Sequence, residues 1–150
     1  MNHTSVICTA AGVLATGALV ASSAAGTAAA SGSTRSHTLS FTSHELASTN
    51  AGAGGHLLIE SDRAVRAGHT IGYNANTCAF DFTTHRAHCY VTLARPNGQM
   101  RFKATVDADT GALTGKVVGG TGAYRGITGR VTGTPTSDPN VERITVHWNG

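Results

Sequence analysis

The sequence predicts an all-β fold: a closed barrel of some eight or nine short strands that follows an N-terminal secretory signal. Polarity alternates in short runs, as it does in strands with one buried face. Gly, Asn, Pro and Asp separate the runs, and no stretch keeps apolar residues at helical spacing for several turns. Closure into a barrel would also remove the exposed strand edges on which β proteins aggregate.

The N-terminal leader contains no Asp, Glu, Lys or Arg among its first thirty residues. Its apolar stretch from Val6 to Val20 and the small residues Ala28 to Ala30 are typical of a signal peptide, which we assign to residues 1–30. Polar residues interrupt the stretch, so a permanent membrane helix is the less favoured alternative. We therefore expect a secreted, extracellular protein with no membrane attachment after processing.

The rest of the chain is long enough for one domain and too short for two. Residues 31–37 are expected to form a flexible polar leader, and residues 38–150 the barrel domain. Eleven Lys or Arg stand against eight Asp or Glu, and they are spread along the chain. Nucleic-acid binding needs a clustered basic surface, so no nucleic-acid partner is predicted.

Nine runs show the alternation expected of strands. They are Thr38–Leu46, His56–Ser61, His69–Tyr73, Thr77–Phe82, Ala87–Ala94, Gln99–Asp107, Ala112–Val118, Ile127–Thr134 and Val141–Trp148. Two of the connections have the chemistry of hairpin turns. Arg95 to Gly98 contains Pro and Asn-Gly. Asp107 to Gly111 lacks the later ligands of a calcium loop and is better explained as a turn.

Sorting each strand by its period of two gives an apolar interior face. Charged side chains such as Arg101 and Arg143 fall on the opposite faces. The large interior side chains are the candidates for ligand binding. They are Phe80, Phe82, Met100, Phe102 and Trp148.

Glu45 is in phase with Leu39 and Phe41, so this carboxylate is expected to enter the barrel near a strand end. Apolar surroundings raise the pKa of a carboxyl group towards neutrality, which suits proton transfer. Glu45 is therefore the candidate catalytic residue. The alternative is a strand-end Glu that already lies in solvent. No catalytic triad, nucleophile elbow or paired-carboxylate motif is apparent elsewhere.

Cys78 and Cys89 flank one turn at equal distances from its centre, so an even-length loop sets them directly opposite each other. Export permits a disulfide, and the alternative is a pair of buried free thiols. His85, His88 and Cys89 include good zinc ligands, but a turn and a strand do not bring them together. No metal and no other cofactor is predicted.

The segment from Val118 to Gly133 is dense in glycine around one aromatic residue, Tyr124. Glycine provides positive φ angles and lets two backbones approach closely, as in a tight loop between barrel strands. A simple Gly-rich hairpin is an alternative. A dinucleotide-binding loop is disfavoured because Ile127 to Thr134 alternates like a strand and does not open a helix.

This segment resembles the dirigent and allene oxide cyclase barrel family. The similarity extends over residues 56–131 in the family's order. It comprises Gly68 to Cys78 with Ile71-Gly72, then Asn97-Gly98, then Gly119 to Gly122 with Tyr124 and Gly126. The resemblance implies a closed eight-stranded antiparallel β-barrel with a lumen for a small, mostly apolar ligand. It also implies assembly as a homo-oligomer, often a trimer.

The chain departs from the family at the positions that carry chemistry. A Glu and an Asn in the first strand of allene oxide cyclases correspond here to Thr42 and His44, and the pocket acids and Arg of plant dirigent proteins have no positional match. Substrate class is therefore not implied.

Two functions follow as hypotheses. The first is a secreted bacterial-type barrel that binds a small hydrophobic or aromatic molecule in its lumen. It would direct stereoselective cyclisation or coupling, either as an isomerase-like enzyme or as a non-catalytic guide. The alternative is a non-enzymatic extracellular module with a filled core, which acts through its surface.

Overall fold

The computed structural model describes residues 35–150 as one antiparallel barrel. Each strand pairs with its neighbours in sequence, and β8 closes the barrel on β1. The strands are β1 (Ser36–Ala51), β2 (Leu57–Arg66), β3 (His69–Asp81), β4 (Arg86–Arg95), β5 (Gly98–Asp107), β6 (Leu113–Gly120), β7 (Thr128–Pro135) and β8 (Val141–Asn149). Short 3-10 turns occur at Ala53–Gly55 and Gly122–Tyr124. The prediction of a closed eight-stranded antiparallel barrel is confirmed.

The barrel has eight strands rather than nine because two predicted strands are one. β3 runs without interruption through Asn74 and Asn76, which the sequence suggests as turn residues. Both amides face the interior and donate hydrogen bonds to neighbouring polar side chains, so they support the strand. β1 begins at Ser36, inside the predicted 31–37 leader. The predicted signal at residues 1–30 lies outside the described residues.

The lower half of the barrel interior, at the end where β4 connects to β5, is a packed apolar core. Leu93, Met100 and Val146 are completely or almost completely buried there. Phe82 differs from the prediction, since its side chain is 58% exposed. β3 ends at Asp81, so Phe82 belongs to the following turn and the two-residue period of the strand no longer sets its direction.

Cys78 and Cys89 are directly opposite each other in the register of β3 and β4, and a disulfide joins them. This confirms the predicted pairing. Together with Ala87 they form a small separate apolar cluster, against which Leu58 and Phe80 pack. The bridge thus ties two strands near the end of the barrel where the β3–β4 turn lies.

The opposite end of the barrel is closed by the glycine-rich loop. The amide of Ala123 donates to the carbonyl of Asn97 at 2.9 Å, which docks this loop on the β4–β5 hairpin. A side chain at Gly120 would collide with the carbonyl oxygen of Gln99, which explains the requirement for glycine. Tyr124 is buried and accepts a hydrogen bond from Arg95 at 2.6 Å. The glycine segment therefore forms the base of the barrel, and access to the lumen is from the other end.

Candidate functional site

Two adjoining cavities occupy the open half of the barrel. The inner cavity has a volume of about 40 Å³. The outer cavity, which we call the vestibule, has a volume of about 220 Å³ and is bordered by the β5–β6 and β7–β8 turns. Both cavities are lined by Ser43, Asp62, Asn76 and Glu142. These shared polar residues, with Asn74, form the boundary between the cavities, which we call the polar belt.

The floor of the inner cavity is apolar. Its residues come from six different strands and point inward with the period expected of a barrel. They are Phe41, Val91, Phe102, Ala104, Leu113, Val131 and Ile144. A molecule that enters from the vestibule would therefore pass the polar belt before it meets a hydrocarbon surface.

The polar belt is organised around the carboxylate of Asp62, which is only 7% exposed. Ser43 donates its hydroxyl to Oδ2 of Asp62 at 3.1 Å, and Asn76 donates its amide to the same oxygen at 2.8 Å. The Ser43 oxygen in turn accepts the Asn74 amide at 2.7 Å. Because Ser43 and Asn76 both donate to Asp62, and Asn74 donates to Ser43, the chain of donors runs towards the Asp62 carboxylate.

This direction leaves acceptor atoms without partners. Asn74 and Asn76 donate from their side-chain N–H₂ groups to Ser43 and Asp62, respectively. The carbonyl oxygens of the two amides take no part in these hydrogen bonds. Oδ1 of Asn74, Oδ1 of Asn76 and Oε1 of Glu142 are buried and have no hydrogen-bond partner. Buried polar atoms of folded proteins nearly always have a partner. These three acceptors belong to residues that line the inner cavity, so the polar belt is the candidate binding site.

Acidic side chains dominate the charge of this end of the lumen. Four of the chain's eight Asp and Glu residues line the two cavities, namely Glu45, Glu60, Asp62 and Glu142. Of the described residues that line either cavity, none is Lys, Arg or His. The chain as a whole carries a net charge of +3, so the negative lumen is a local feature.

The carboxyl group of Glu142 is suited to proton exchange. Burial, and then the negative charges of Asp62 and Glu60, raise its pKa to about 7. Burial, followed by the charge of Asp62, also raises the pKa of Glu60 above its ordinary value. Glu142 is therefore partly protonated at neutral pH and can give or take a proton there.

Of the five predicted ligand-binding residues, the structure places only one in the wall of the inner cavity or the vestibule. Phe102 lines the inner cavity, whereas Met100 is completely buried in the packed core below it. Trp148 belongs to the base, where its ring stacks on His37 at 5.2 Å between ring centroids. Phe80 and Phe82 stack on each other at 6.0 Å and border a separate surface depression outside the lumen.

Glu45 lies at the vestibule, but it is exposed rather than enclosed by apolar groups. The β1–β2 register shifts between Glu45 and Ala47, which marks a bulge at this point. Ser48 donates a hydrogen bond of 2.6 Å to the Glu45 carboxylate. Its position matches the strand-end alternative, and its catalytic role remains a prediction.

The polar belt was not predicted from the sequence, although two strands carry a signal for it. Ser43 is in phase with Leu39 and Phe41, and Glu142 is in phase with Ile144 and Val146. Both faces were correctly assigned to the interior. The two-residue period that directs Leu39 and Ile144 inward also directs Ser43 and Glu142 into the barrel.

No metal centre is visible in the part of the chain that the structure describes. Among residues 35–150, no three His, Cys, Asp or Glu side chains are arranged to hold a metal ion. His85 is exposed and contacts Asp109 at 3.0 Å, while the sulfur of Cys89 is in the disulfide. Over the same residues, no helix has the length and apolar character needed to cross a membrane.

Comparison with known proteins gives matches by structure only, since no family model and no curated protein sequence matches the chain. Pyocyanin demethylase has a TM-score of 0.63 at 20% identity, over 75% of this chain and 99% of that chain. The Diels–Alderase AbmU from Streptomyces koyangensis has a TM-score of 0.59 at 19% identity, over 81% and 71% of the respective chains. The pterocarpan synthase dirigent protein GePTS1 has a TM-score of 0.60 at 14% identity, over 77% and 84%.

These neighbours share the closed barrel and differ in the reactions that their names describe. At such low identities the comparison establishes the fold and not the activity. The resemblance of the glycine-rich segment to the dirigent and cyclase barrels is confirmed at that level: the described chain has the eight-stranded barrel fold of dirigent proteins and Diels–Alderase cyclases.

Proposed function

We propose that this protein is a secreted barrel that binds a small organic molecule, with a hydrophobic or aromatic body, at the open end of its lumen and directs its cyclisation or coupling. The observation that carries the proposal is the inner cavity, whose apolar floor adjoins a belt of buried polar atoms without partners. An apolar site with a few convergent polar groups is the usual form of a small-molecule site.

The cavity volumes limit the size of the ligand. An apolar protein cavity of about 150 Å³ takes up benzene. The vestibule, at about 220 Å³, therefore has room for one ring, whereas the inner cavity, at about 40 Å³, accepts only a group of a few atoms. The expected ligand places its bulk in the vestibule and a small substituent beyond the polar belt.

Such a site can influence a reaction in two ways. The walls would hold one folded conformer while two parts of the substrate join, which reduces the entropy lost on reaching the transition state. Glu142, with a pKa near 7, would exchange a proton with the bound molecule. The names of the neighbours, a Diels–Alderase and a pterocarpan synthase dirigent protein, support ring formation as the reaction class.

Export and assembly form part of the same proposal. The Cys78–Cys89 disulfide supports an oxidising compartment. Assembly as a homotrimer is proposed from the family resemblance, and sedimentation equilibrium of the purified protein measures it directly.

A pair of matched alanine substitutions tests the lumen as the ligand site. Ala104 lines the inner cavity, and Ala79 is exposed on the outer face of β3. Small hydrophobic and aromatic compounds that raise the melting temperature of the wild type should lose this effect in Ala104→Leu and keep it in Ala79→Leu. If the effect persists in Ala104→Leu but disappears in Ala79→Leu, binding is on the outer surface and the proposal fails.

The filled-core module remains the second candidate because the lower half of the lumen is packed by Leu93, Met100 and Val146. Under that hypothesis, substitutions in the interior would change stability alone. Substitution of an outward residue such as Arg101→Ala would instead abolish binding to an extracellular partner. A pull-down of the wild type and the Arg101→Ala variant from the culture medium distinguishes the two functions.

A further inference from the structure

The charge and the unpaired atoms of the polar belt indicate which polar group the ligand carries in addition to its hydrophobic part. We propose that the molecule bound in the lumen carries a protonated amine, held by the carbonyl oxygens of Asn74 and Asn76 and neutralised by Asp62 and Glu142. This inference rests on the proposed small-molecule function and names the chemical class of its ligand.

The unpaired acceptor atoms favour a ligand group that donates hydrogen bonds and does not accept them. Asn74 is 6% exposed, and its Oδ1 has no partner although the residue lines the inner cavity. Oδ1 of Asn76 and Oε1 of Glu142 also lack a partner, and these two partly buried residues line the same cavity. An ammonium group has three N–H donors and no acceptor, whereas a hydroxyl group supplies a single donor. A primary ammonium therefore matches three unpaired acceptors better than an alcohol does.

The electrostatics of the lumen point to a cation. Glu45, Glu60, Asp62 and Glu142 line the cavities, and no described residue of either lining is Lys, Arg or His. Without a counter-charge, these carboxylates repel one another at close quarters. A cationic ligand would relieve this repulsion, while an anionic ligand would increase it.

An organic cation suits the site better than a metal ion. No set of three metal-ligating side chains is arranged for coordination among residues 35–150. Oδ2 of Asp62 is already engaged by Ser43 and Asn76, which reduces its availability as a metal ligand. The floor of Phe41, Phe102 and Ile144 has no ligand for a hydrated metal ion, but it would contact a small apolar substituent of an amine whose bulk lies in the vestibule.

The test uses two probes of nearly equal shape, 2-phenylethylamine and 2-phenylethanol, titrated into the purified protein at pH 7.5 and followed by NMR chemical shifts. The amine should bind about tenfold or more tightly than the alcohol, as expected for charge-assisted hydrogen bonds. Asp62→Asn should abolish this preference. Asp109→Asn should keep it, since Asp109 is an exposed carboxylate that lines neither cavity.

Glu142→Gln provides a second variant in case Asp62→Asn does not fold, which circular dichroism checks. It should reduce the preference for the amine by a similar factor. If the alcohol binds as tightly as the amine, the amine inference is wrong and the small-molecule function stands. If neither probe binds, the inference is wrong, and the Ala104→Leu screen decides the function separately. If CaCl₂ shifts the signals of the polar belt and prevents amine binding, the site is a metal site and the inference is overturned.

Discussion

Ser43 on β1 donates its hydroxyl hydrogen to Asp62 on β2 at 3.1 Å, inside the barrel. Because Asp62 takes this hydrogen, the Ser43 oxygen is left to accept the amide of Asn74 at 2.7 Å. The hydroxyl thus links a buried carboxylate to a buried amide across three adjacent strands. Through this link, Asp62 determines which atoms of the polar belt are left without a hydrogen-bond partner.

Ser43→Ala should destabilise the protein. It leaves the Asn74 amide without an acceptor and removes one donor from Asp62, which corresponds to about 2 kcal/mol of unfolding free energy. Ser40→Ala is the matched control, because Ser40 lies on the exposed face of the same strand and, within residues 35–150, its hydroxyl bonds to Thr145 alone. The control should cost less than about 0.5 kcal/mol. Urea unfolding of the two variants measures both, and equal losses would contradict the role given to Ser43.

The pKa of Glu142 predicts how stability depends on pH. It is raised from 4.5 to about 7 in the folded protein, chiefly by burial and then by Asp62 and Glu60. The folded state therefore binds this proton more tightly than the unfolded state. The contribution to stability is fully present below pH 4.5 and is lost as the pH rises through about 7.

Glu142→Gln should remove this dependence, because Gln resembles the protonated acid at every pH. We expect the variant to exceed the wild type by about 2 kcal/mol of unfolding free energy at pH 8 and to equal it near pH 4. Asp81 and Asp107 titrate below their ordinary value of 3.8 and contribute little in this interval. Burial raises the pKa of Glu60 and the contact with Asp109 raises the pKa of His85, so these two groups keep their own contributions in the variant. A wild type whose stability is constant between pH 4.5 and 8 would contradict the burial of Glu142.

The disulfide should contribute to stability through the loop that it closes. Its cysteines are 11 residues apart in sequence. A loop of this length corresponds to about 2–3 kcal/mol in the chain-entropy model. The double variant Cys78→Ala/Cys89→Ala should lose this amount in urea unfolding, and a reductant should weaken the wild type but not the variant. A reductant effect of equal size in both proteins would show that the bridge is not responsible.

Two glycines of the closed end should respond differently to alanine. A Cβ at Gly120 would collide with the backbone of Gln99 and Tyr124, whereas a Cβ at Gly126 would meet nothing within 4 Å. Gly126 has a φ of +76°, so its substitution introduces backbone strain alone, about 1–2 kcal/mol. Gly120→Ala should cost about 3 kcal/mol. Thermal unfolding of the pair compares them, and a larger loss for Gly126→Ala would contradict the docking of the loop.

The sequence was sufficient to predict the architecture because barrel strands repeat one simple signal, a period of two between turns. The Cys78–Cys89 pairing followed from the same period, since both residues are equally far from the turn centre. The signal failed where a strand ended earlier than its apolar residues, as at Phe82, or continued through turn-forming residues, as at Asn74.

The candidate site was less predictable because its residues contradict the rule used to find the interior. Asp62 and Glu142 are charged residues inside a barrel, and only their hydrogen-bond partners and neighbours on adjacent strands explain that placement. Those contacts join residues far apart in sequence. The two-residue period of each strand predicts the direction of these side chains. It does not predict the hydrogen bonds between strands that stabilise polar groups in the interior.

The central claim, that the open end of the barrel binds a small organic molecule, is tested most directly by native mass spectrometry. The protein is recovered from the culture medium, weighed in its folded state, and then unfolded so that any released compound can be identified. We expect a stoichiometric adduct that is lost on unfolding and is absent from Ala104→Leu. A wild type without an adduct, which also stays unliganded when mixed with aromatic amines and neutral aromatic compounds, would contradict the claim and favour the filled-core module.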